Sequence, residues 1–361
     1  MAQKQTPNID LTSGVLLLAL ATVWGGSFFF AEIALREVPP LTIALHRVFW
    51  AVPALFLVVW WQGIKFPRSI QAWLCYLVMG ALNNAIPFSL IFWGQTNIGS
   101  GLASILNGTT AVFGAVVAGI LLVDEPLTPR KITGAMFGVF GVAVIMGLDA
   151  LTNFDLRNVA QLAVLGAALS YAVAGVWGKR FLSGYPPVMN AFGMLVGSTV
   201  LMIPVAIFTE GMPVLTLSTE VWASLIAVAI LSTAVAYFLY FRILVRAGSA
   251  NLMLVTLLIP PIAVGLSVAF LGEKLGYEAW LGFGLIAVGL AVTDGRLFYW
   301  LRQRAYQTAS TADQRSSPES RTSPPASDTP VSSLRSPQAS ASPSALASGP
   351  APHRHYPVCN R

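Results

Sequence analysis

The sequence predicts an all-α membrane protein of ten transmembrane helices, built as two inverted five-helix repeats. Three observations predict it. Of 361 residues, 55% are hydrophobic and only 10% charged, with a mean hydropathy of +0.70; a soluble domain carries roughly 25% charged residues. Apolar runs of transmembrane length recur ten times along the chain. The chain also matches itself at a shift of 147–149 residues.

The charge is confined. Residues 295–361 carry a net +5 and residues 13–294 only +1, so the total of +6 describes a basic tail on a nearly neutral body. No polyanion-binding surface follows, and no nucleic-acid partner is expected. Two cysteines, Cys75 and Cys359, are too few for a disulfide framework.

A helical span needs about 20 mostly apolar residues to cross a hydrocarbon core of roughly 30 Å. Runs of that kind cover residues 14–34, 41–61, 73–93, 100–123, 131–148, 159–178, 189–208, 222–241, 250–271 and 278–293. The first run resembles a signal peptide at Lys4, Leu16-Leu17-Leu18 and Ala19-Leu20-Ala21. Its apolar character continues unbroken to Leu35, about twice the length of a signal core, so it is read as a retained span. With the N-terminus inside, twelve Lys/Arg, among them Lys65, Arg68, Arg130, Lys131, Lys179 and Arg180, fall on the cytoplasmic side. Only Arg36, Arg157 and Lys274 fall opposite, a positive-inside bias that places both termini in the cytoplasm. Residues 1–12 form a short cytoplasmic segment. Residues 303–361, rich in Ser, Pro and Ala, lack the apolar content to offset the entropy of ordering and are expected to be a disordered tail. His353 and His355 lie in that tail without further ligands, and no metal or cofactor is expected.

The self-match divides the body into residues 13–148 and 159–294. Pro39-Pro40 before the second span matches Pro186-Pro187 before the seventh. Trp73, Ala85 and Phe92 match Trp222, Ala234 and Phe241; Glu125, Gly134 and Gly141 match Glu273, Gly282 and Gly289. Five spans per unit is an odd number, so the second unit enters the membrane from the opposite face. Inverted repeats of this kind typify secondary transporters, where the substrate site lies near the midplane between them.

These units resemble the EamA domains of the drug/metabolite transporter superfamily over about residues 10–294. The resemblance is carried by Val23-Trp24-Gly25-Gly26-Ser27, by His46-Arg47, and above all by Val123-Asp124-Glu125-Pro126-Leu127-Thr128 with Gly134. The counterpart of that last segment is Leu271-Gly272-Glu273-Lys274-Leu275 with Gly282. The resemblance implies an inner-membrane carrier, usually an exporter of metabolites or amino acids. One departure is specific. The ninth span has Pro260-Pro261 where the fourth has Val112-Phe113, so a mobile break in this helix pair is expected on one side only.

Polar groups at mid-membrane are the candidates for substrate binding. Asn83 and Asn84 lie ten and eleven residues into the third span, and the repeat places Ser232 and Thr233 at the same depth in the eighth. Trp24 sits at the centre of the first span with Tyr171 in the matching place of the sixth, although tryptophan favours the headgroup belt. Asn107, Thr256, Tyr237 and Tyr240 are further candidates. The competing reading for each is interhelical hydrogen bonding, typically about 0.6 kcal/mol. Arg47 is the one permanently charged residue well inside a span; it either binds an anionic substrate group or snorkels outward from about 9 Å depth. His46 and Glu32 are candidates for a coupling proton, each with a structural alternative. Gly134, Gly138 and Gly141, with Gly282 and Gly289, mark the fifth and tenth helices as close-packed scaffold.

No H-E-x-x-H, G-x-S-x-G or pair of mid-membrane carboxylates is present, so no enzymatic chemistry is indicated. The expected function is export of a small metabolite such as an amino acid by alternating access. Efflux of a lipophilic drug and a membrane sensor without transport are the rivals. The expected partners are a small-molecule substrate and the lipid bilayer, with a second copy of the chain as a candidate. A phosphorylated substrate is disfavoured, because several Lys/Arg at depth would be needed and only Arg47 qualifies.

Overall fold

Proline, glycine and long apolar runs set the helix boundaries in the structure, a computed structural model that describes residues 11–123, 126–146, 156–252 and 255–294. The short N-terminal segment up to residue 10, Glu125 and the tail lie outside the described residues. Among the described residues ten helices follow one another: α1 Leu11–Ala34, α2 Pro40–Trp61, α3 Ile70–Gln95, α4 Ser100–Leu121, α5 Pro129–Met146, α6 Leu156–Phe181, α7 Pro187–Glu210, α8 residues 219–252, α9 Val255–Leu271 and α10 Tyr277–Asp294. Eight are long and apolar enough to cross a bilayer, and α9 and α10 carry shorter apolar stretches. Prolines open α2, α5 and α7, where a missing N–H costs nothing. The ninth helix starts five residues later than the hydropathy run suggests, because α8 keeps its helical ladder through residue 252.

The two repeats interlock. The most extensive packing pairs α5 with α10, α1 with α9, α3 with α7, α3 with α6 and α4 with α6. Each of these joins one repeat to the other. The closest is the α5–α10 crossing, where a Cβ added to Gly141 would meet the Gly282 carbonyl at 2.7 Å and one added to Gly282 would meet the Gly141 carbonyl at 2.5 Å. Gly134 and Gly289 make the same contact, each added Cβ 2.5 Å from the other's carbonyl, and since Gly134 corresponds to Gly282 and Gly141 to Gly289, a two-fold axis between the repeats relates the two contacts. Gly80 of α3 is equally tight, with the Met194 carbonyl of α7 only 2.5 Å from an added Cβ. Cys75 on α3 is not a free thiol.

Among the described residues four helices depart from the α-ladder midway along their length. In α2 the ladder lapses at Trp50, three residues before Pro53, whose ring excludes the Phe49 carbonyl. In α3 and α8 the ladder widens to π-helix over Ala81–Ala85 and Ala227–Val235. The break in the α4/α9 pair is one-sided, but it falls on the side without proline, contrary to what the sequence suggests. Helix α9 runs unbroken through Pro260 and Pro261, whereas α4 is interrupted at Gly108 and Thr109. The reason is local chemistry. The hydroxyls of Thr109 and Thr110 each donate to a carbonyl three residues back, at 2.7 Å, competing with the ladder beside a glycine. Pro260 lies opposite, 3.5 Å from where a Gly108 Cβ would stand.

Candidate substrate-binding layer

The π-helical segments hold Asn83-Asn84 in one repeat and Ser232-Thr233 in the other. A π segment frees carbonyls from the ladder, and such insertions recur at functional sites. Here those carbonyls find hydroxyl donors. Ser170 of α6 donates to the Leu82 carbonyl at 2.7 Å, and Thr233 donates to the Val228 carbonyl five residues back at 3.0 Å. Ser232 donates across to the Val23 carbonyl of α1 at 2.9 Å, so it ties helices together as an interhelical bond does.

Arg47 lies between these segments. It is 8% exposed and does not snorkel. Its Nε donates to the Thr233 hydroxyl at 3.3 Å, and its guanidinium carbon stands 3.9 Å from the centre of the Phe88 ring. A cation over an aromatic face gains about 0.5–2 kcal/mol. The phenols of Tyr171 and Tyr237 complete its electrostatic surroundings. Among the described residues no carboxylate pairs with it. Placing arginine at a helix centre costs roughly 2.5–3.5 kcal/mol on insertion scales, so the fold holds here a charge it does not neutralise.

The amides adjoin this centre from α3. Asn84 is fully buried and donates to Ser198 of α7 at 3.3 Å. Asn83 donates to the Met194 sulfur at 3.5 Å and lies beside Tyr237, whose hydroxyl also points to that sulfur at 4.0 Å. Asn83, Tyr171 and Tyr237 keep some accessible surface, while Asn84 and Thr233 are closed off in contacts. The structure therefore brings together Arg47, Asn83, Asn84, Tyr171, Thr233 and Tyr237, drawn from four helices of both repeats. An apolar cleft of about 200 Å³ lies elsewhere, between α4, α5 and α6, lined by Val112, Phe113, Val139 and Leu165 among others.

Other candidates stand apart. Trp24 packs in a separate apolar cluster with Leu20, Ala236 and Val255, its ring 6.1 Å from that of Tyr240. Asn107 adjoins the α4 break, with its Oδ1 buried and without a donor. Thr256 is half-buried in the first turn of α9. His46 accepts from Trp50 Nε1 at 3.0 Å through Nδ1, leaving Nε2 buried and unbonded. Glu32 accepts from Gln95 at 3.1 Å near the end of α1. Sequence reasoning missed Phe88, Met194, Ser198 and Gln95. A shift of 147 from Arg47 lands on Met194, and Phe88, Phe92 and Gln95 share one helix face at i, i+4 and i+7, so both signals were available.

A multi-pass membrane carrier is the class of protein that two interlocked repeats around a buried polar layer define. The profile of the EamA-like transporter family matches residues 12–147 and 158–293. The chain belongs to that family. An uncharacterized transporter of Archaeoglobus fulgidus is 27% identical, over 78% of this chain and 97% of its own. A probable amino-acid metabolite efflux pump of Escherichia coli (strain K12) is 27% identical, over 77% of this chain and 93% of its own. One solved crystal structure shares the fold, with a TM-score of 0.56 at 17% identity, covering 78% of this chain and 97% of that one.

Proposed function

We propose that this transporter exports a small metabolite bearing a carboxylate, of the amino-acid type, by alternating access from a cytoplasm that contains both termini. The observation that carries the reading is Arg47, a buried cation without a carboxylate partner among the described residues, held by a hydroxyl and an aromatic face. A substrate carboxylate would supply the missing charge, and guanidinium is suited to bidentate carboxylate contacts. The amides of Asn83 and Asn84 and the phenols of Tyr171 and Tyr237 offer neutral donors and acceptors for the rest of a zwitterion. The name of the Escherichia coli relative, a probable amino-acid metabolite efflux pump, points the same way.

The test is counterflow in liposomes containing the purified protein. Labelled amino acids and related carboxylates form one panel, and lipophilic cations a second. Saturable counterflow of a carboxylate, lost in Arg47→Ala, supports the proposal. Counterflow confined to lipophilic cations replaces it with drug efflux, and none across both panels favours a sensor.

A further inference from the structure

At the end of the bundle where α1 and α3 finish, Gln95 presents an acceptor with nothing to accept. The residue is 3% exposed. Its Nε2 shares its protons between the Phe28 carbonyl at 2.9 Å and the Glu32 carboxylate at 3.1 Å. Its Oε1 is buried and has no donor among the described residues. A buried, unsatisfied amide oxygen costs about 1–3 kcal/mol, and its immediate neighbour is a carboxylate that gains a donor on taking up a proton.

The charged groups that face Glu32 are few. Arg36, one turn on in chain order, is drawn to Glu220 of α8 at 2.9 Å. Glu273, following α9, faces it as a second carboxylate. Glu273 is itself fully engaged: it accepts from the Gly101 and Leu102 backbone N–H groups at the start of α4, at 3.0 and 3.4 Å, and from the Ser267 hydroxyl. Gln95 is the group that α3 contributes, and Ser100 of α4 is bound to Ser267. Glu32 is thus the acid free to change state, and it is half-buried.

We propose that Glu32 and Gln95 form a proton-binding site. The ionised carboxylate accepts from Gln95 Nε2. On protonation an O–H bond forms on Glu32, with the proton taken from water, and that hydroxyl donates to Gln95 Oε1. A hard metal cation is a poorer fit: calcium takes six to eight oxygens and magnesium six, whereas this site offers one carboxylate, one amide oxygen and a carbonyl already engaged. No group of three or more His, Cys, Asp or Glu suited to a metal occurs among the described residues.

The site connects to the buried layer through α3. Gln95, Phe92 and Phe88 share one helix face, the two rings stack with centroids 6.1 Å apart, and Phe88 carries the Arg47 guanidinium. Seven residues separate the proton site from that contact, about 10 Å of helix. The site is also one-sided, because a shift of 147 puts an exposed Lys179 where Glu32 stands. A proton held at one end of the substrate path is what directional coupling requires; that role rests on the transport reading, but the existence of the site does not.

The test therefore uses the protein alone in liposomes, without substrate. Attenuated-total-reflection infrared difference spectra are recorded as pH is lowered. The expected result is a carboxylic-acid C=O band that Glu32→Gln abolishes, Glu278→Gln leaves in place and Gln95→Leu shifts to higher frequency as its hydrogen bond is lost. A band unchanged in folded Glu32→Gln overturns the proposal. So does a band removed by sodium at constant pH, which would identify a metal-cation site. If Glu32→Gln does not fold, as judged by elution profile, Glu32→Asp must displace the band and its midpoint, and no displacement is equally fatal. Failure here leaves the carboxylate-export reading intact, and failure of counterflow leaves this titration intact.

Discussion

The crossing of α2 with α3 and α8 and the crossing of α7 with α8 and α3 occupy equivalent places in the two repeats, and they differ by one charge. In the first, Arg47 meets the Thr233 hydroxyl and the face of Phe88. In the second, the repeat replaces Arg47 by Met194, Thr233 by Asn84 and Phe88 by Tyr237. There the Met194 sulfur receives Asn83 and the Tyr237 hydroxyl. Backbone geometry is shared, since both crossings contain a π segment and a hydroxyl that satisfies a freed carbonyl. The duplicated scaffold supplies a polar layer in both crossings, and a single unsymmetrical cation distinguishes the two.

Removing the cation should have the largest effect. Arg47→Ala is expected to lower carboxylate counterflow about 100-fold, since truncating one member of a buried charge pair costs about 2–5 kcal/mol, while membrane insertion stays normal. Arg47→Lys should recover part of it, because lysine restores the charge without the planar fork. Normal counterflow in Arg47→Ala would reduce the guanidinium to a helix tie. The equivalent change in the other crossing is the control. Met194→Leu should alter counterflow less than twofold, as a volume-conserving swap, and Asn84→Ala by several-fold, as loss of the hydrogen bonds it makes with Ser198 and Asn83, each worth about 1 kcal/mol. Equal effects of Met194→Leu and Arg47→Ala would mean that the charge difference is irrelevant.

The scaffold itself should behave symmetrically. Gly141→Val and Gly289→Val, equivalent positions of the two repeats, each push a side chain against a backbone carbonyl of the facing helix, that of Gly282 and that of Gly134 respectively. Overpacking of this kind costs about 1–3 kcal/mol, and the two variants should lower the thermal midpoint by similar amounts. Unequal losses would show that one repeat carries the fold.

How much of this was legible in the sequence divides along the same line. Ten helices and the repeat were readable because apolar length and the ordered Pro, Trp and Gly matches are one-dimensional signals. The matching of Asn83-Asn84 with Ser232-Thr233, which the structure places in like π segments of α3 and α8, was readable for the same reason. The break in α4 was not, because proline is a strong breaker by itself, whereas Gly108 and two threonine hydroxyls act only through local competition for carbonyls. Trp24 was matched to Tyr171 by register, yet register fixes height and not azimuth. Tyr171 lies within the electrostatic surroundings of Arg47, whereas the Trp24 ring meets that of Tyr240. Gln95 escaped notice because a glutamine near a helix end is ordinary until its neighbours are known.

The smallest effect concerns the ends of the bundle, where the asymmetry continues. The loop between α1 and α2 is tied to the start of α8 by Arg36 with Glu220 at 2.9 Å and by the Ser218 N–H donating to Glu37 at 2.8 Å. A shift of 147 puts Ser183 and Gly184 in the places of Arg36 and Glu37, so the opposite end carries no such charges there. The bonds from Ser218 hold the Glu37 carboxyl below its ordinary value of 4.5. A carboxyl held low in the folded state stabilises the fold at higher pH and loses that contribution as pH falls through its folded value. Glu37→Gln removes the titration. Wild-type protein should therefore lose slightly more thermal stability than Glu37→Gln on going from about pH 6 to about pH 3, and the two should converge in their response above that range. The difference should be small, because Glu37 is solvent-exposed and exposed charge contacts contribute little. An identical acid response in both proteins would show that the bond from Ser218 to Glu37 does not contribute in solution.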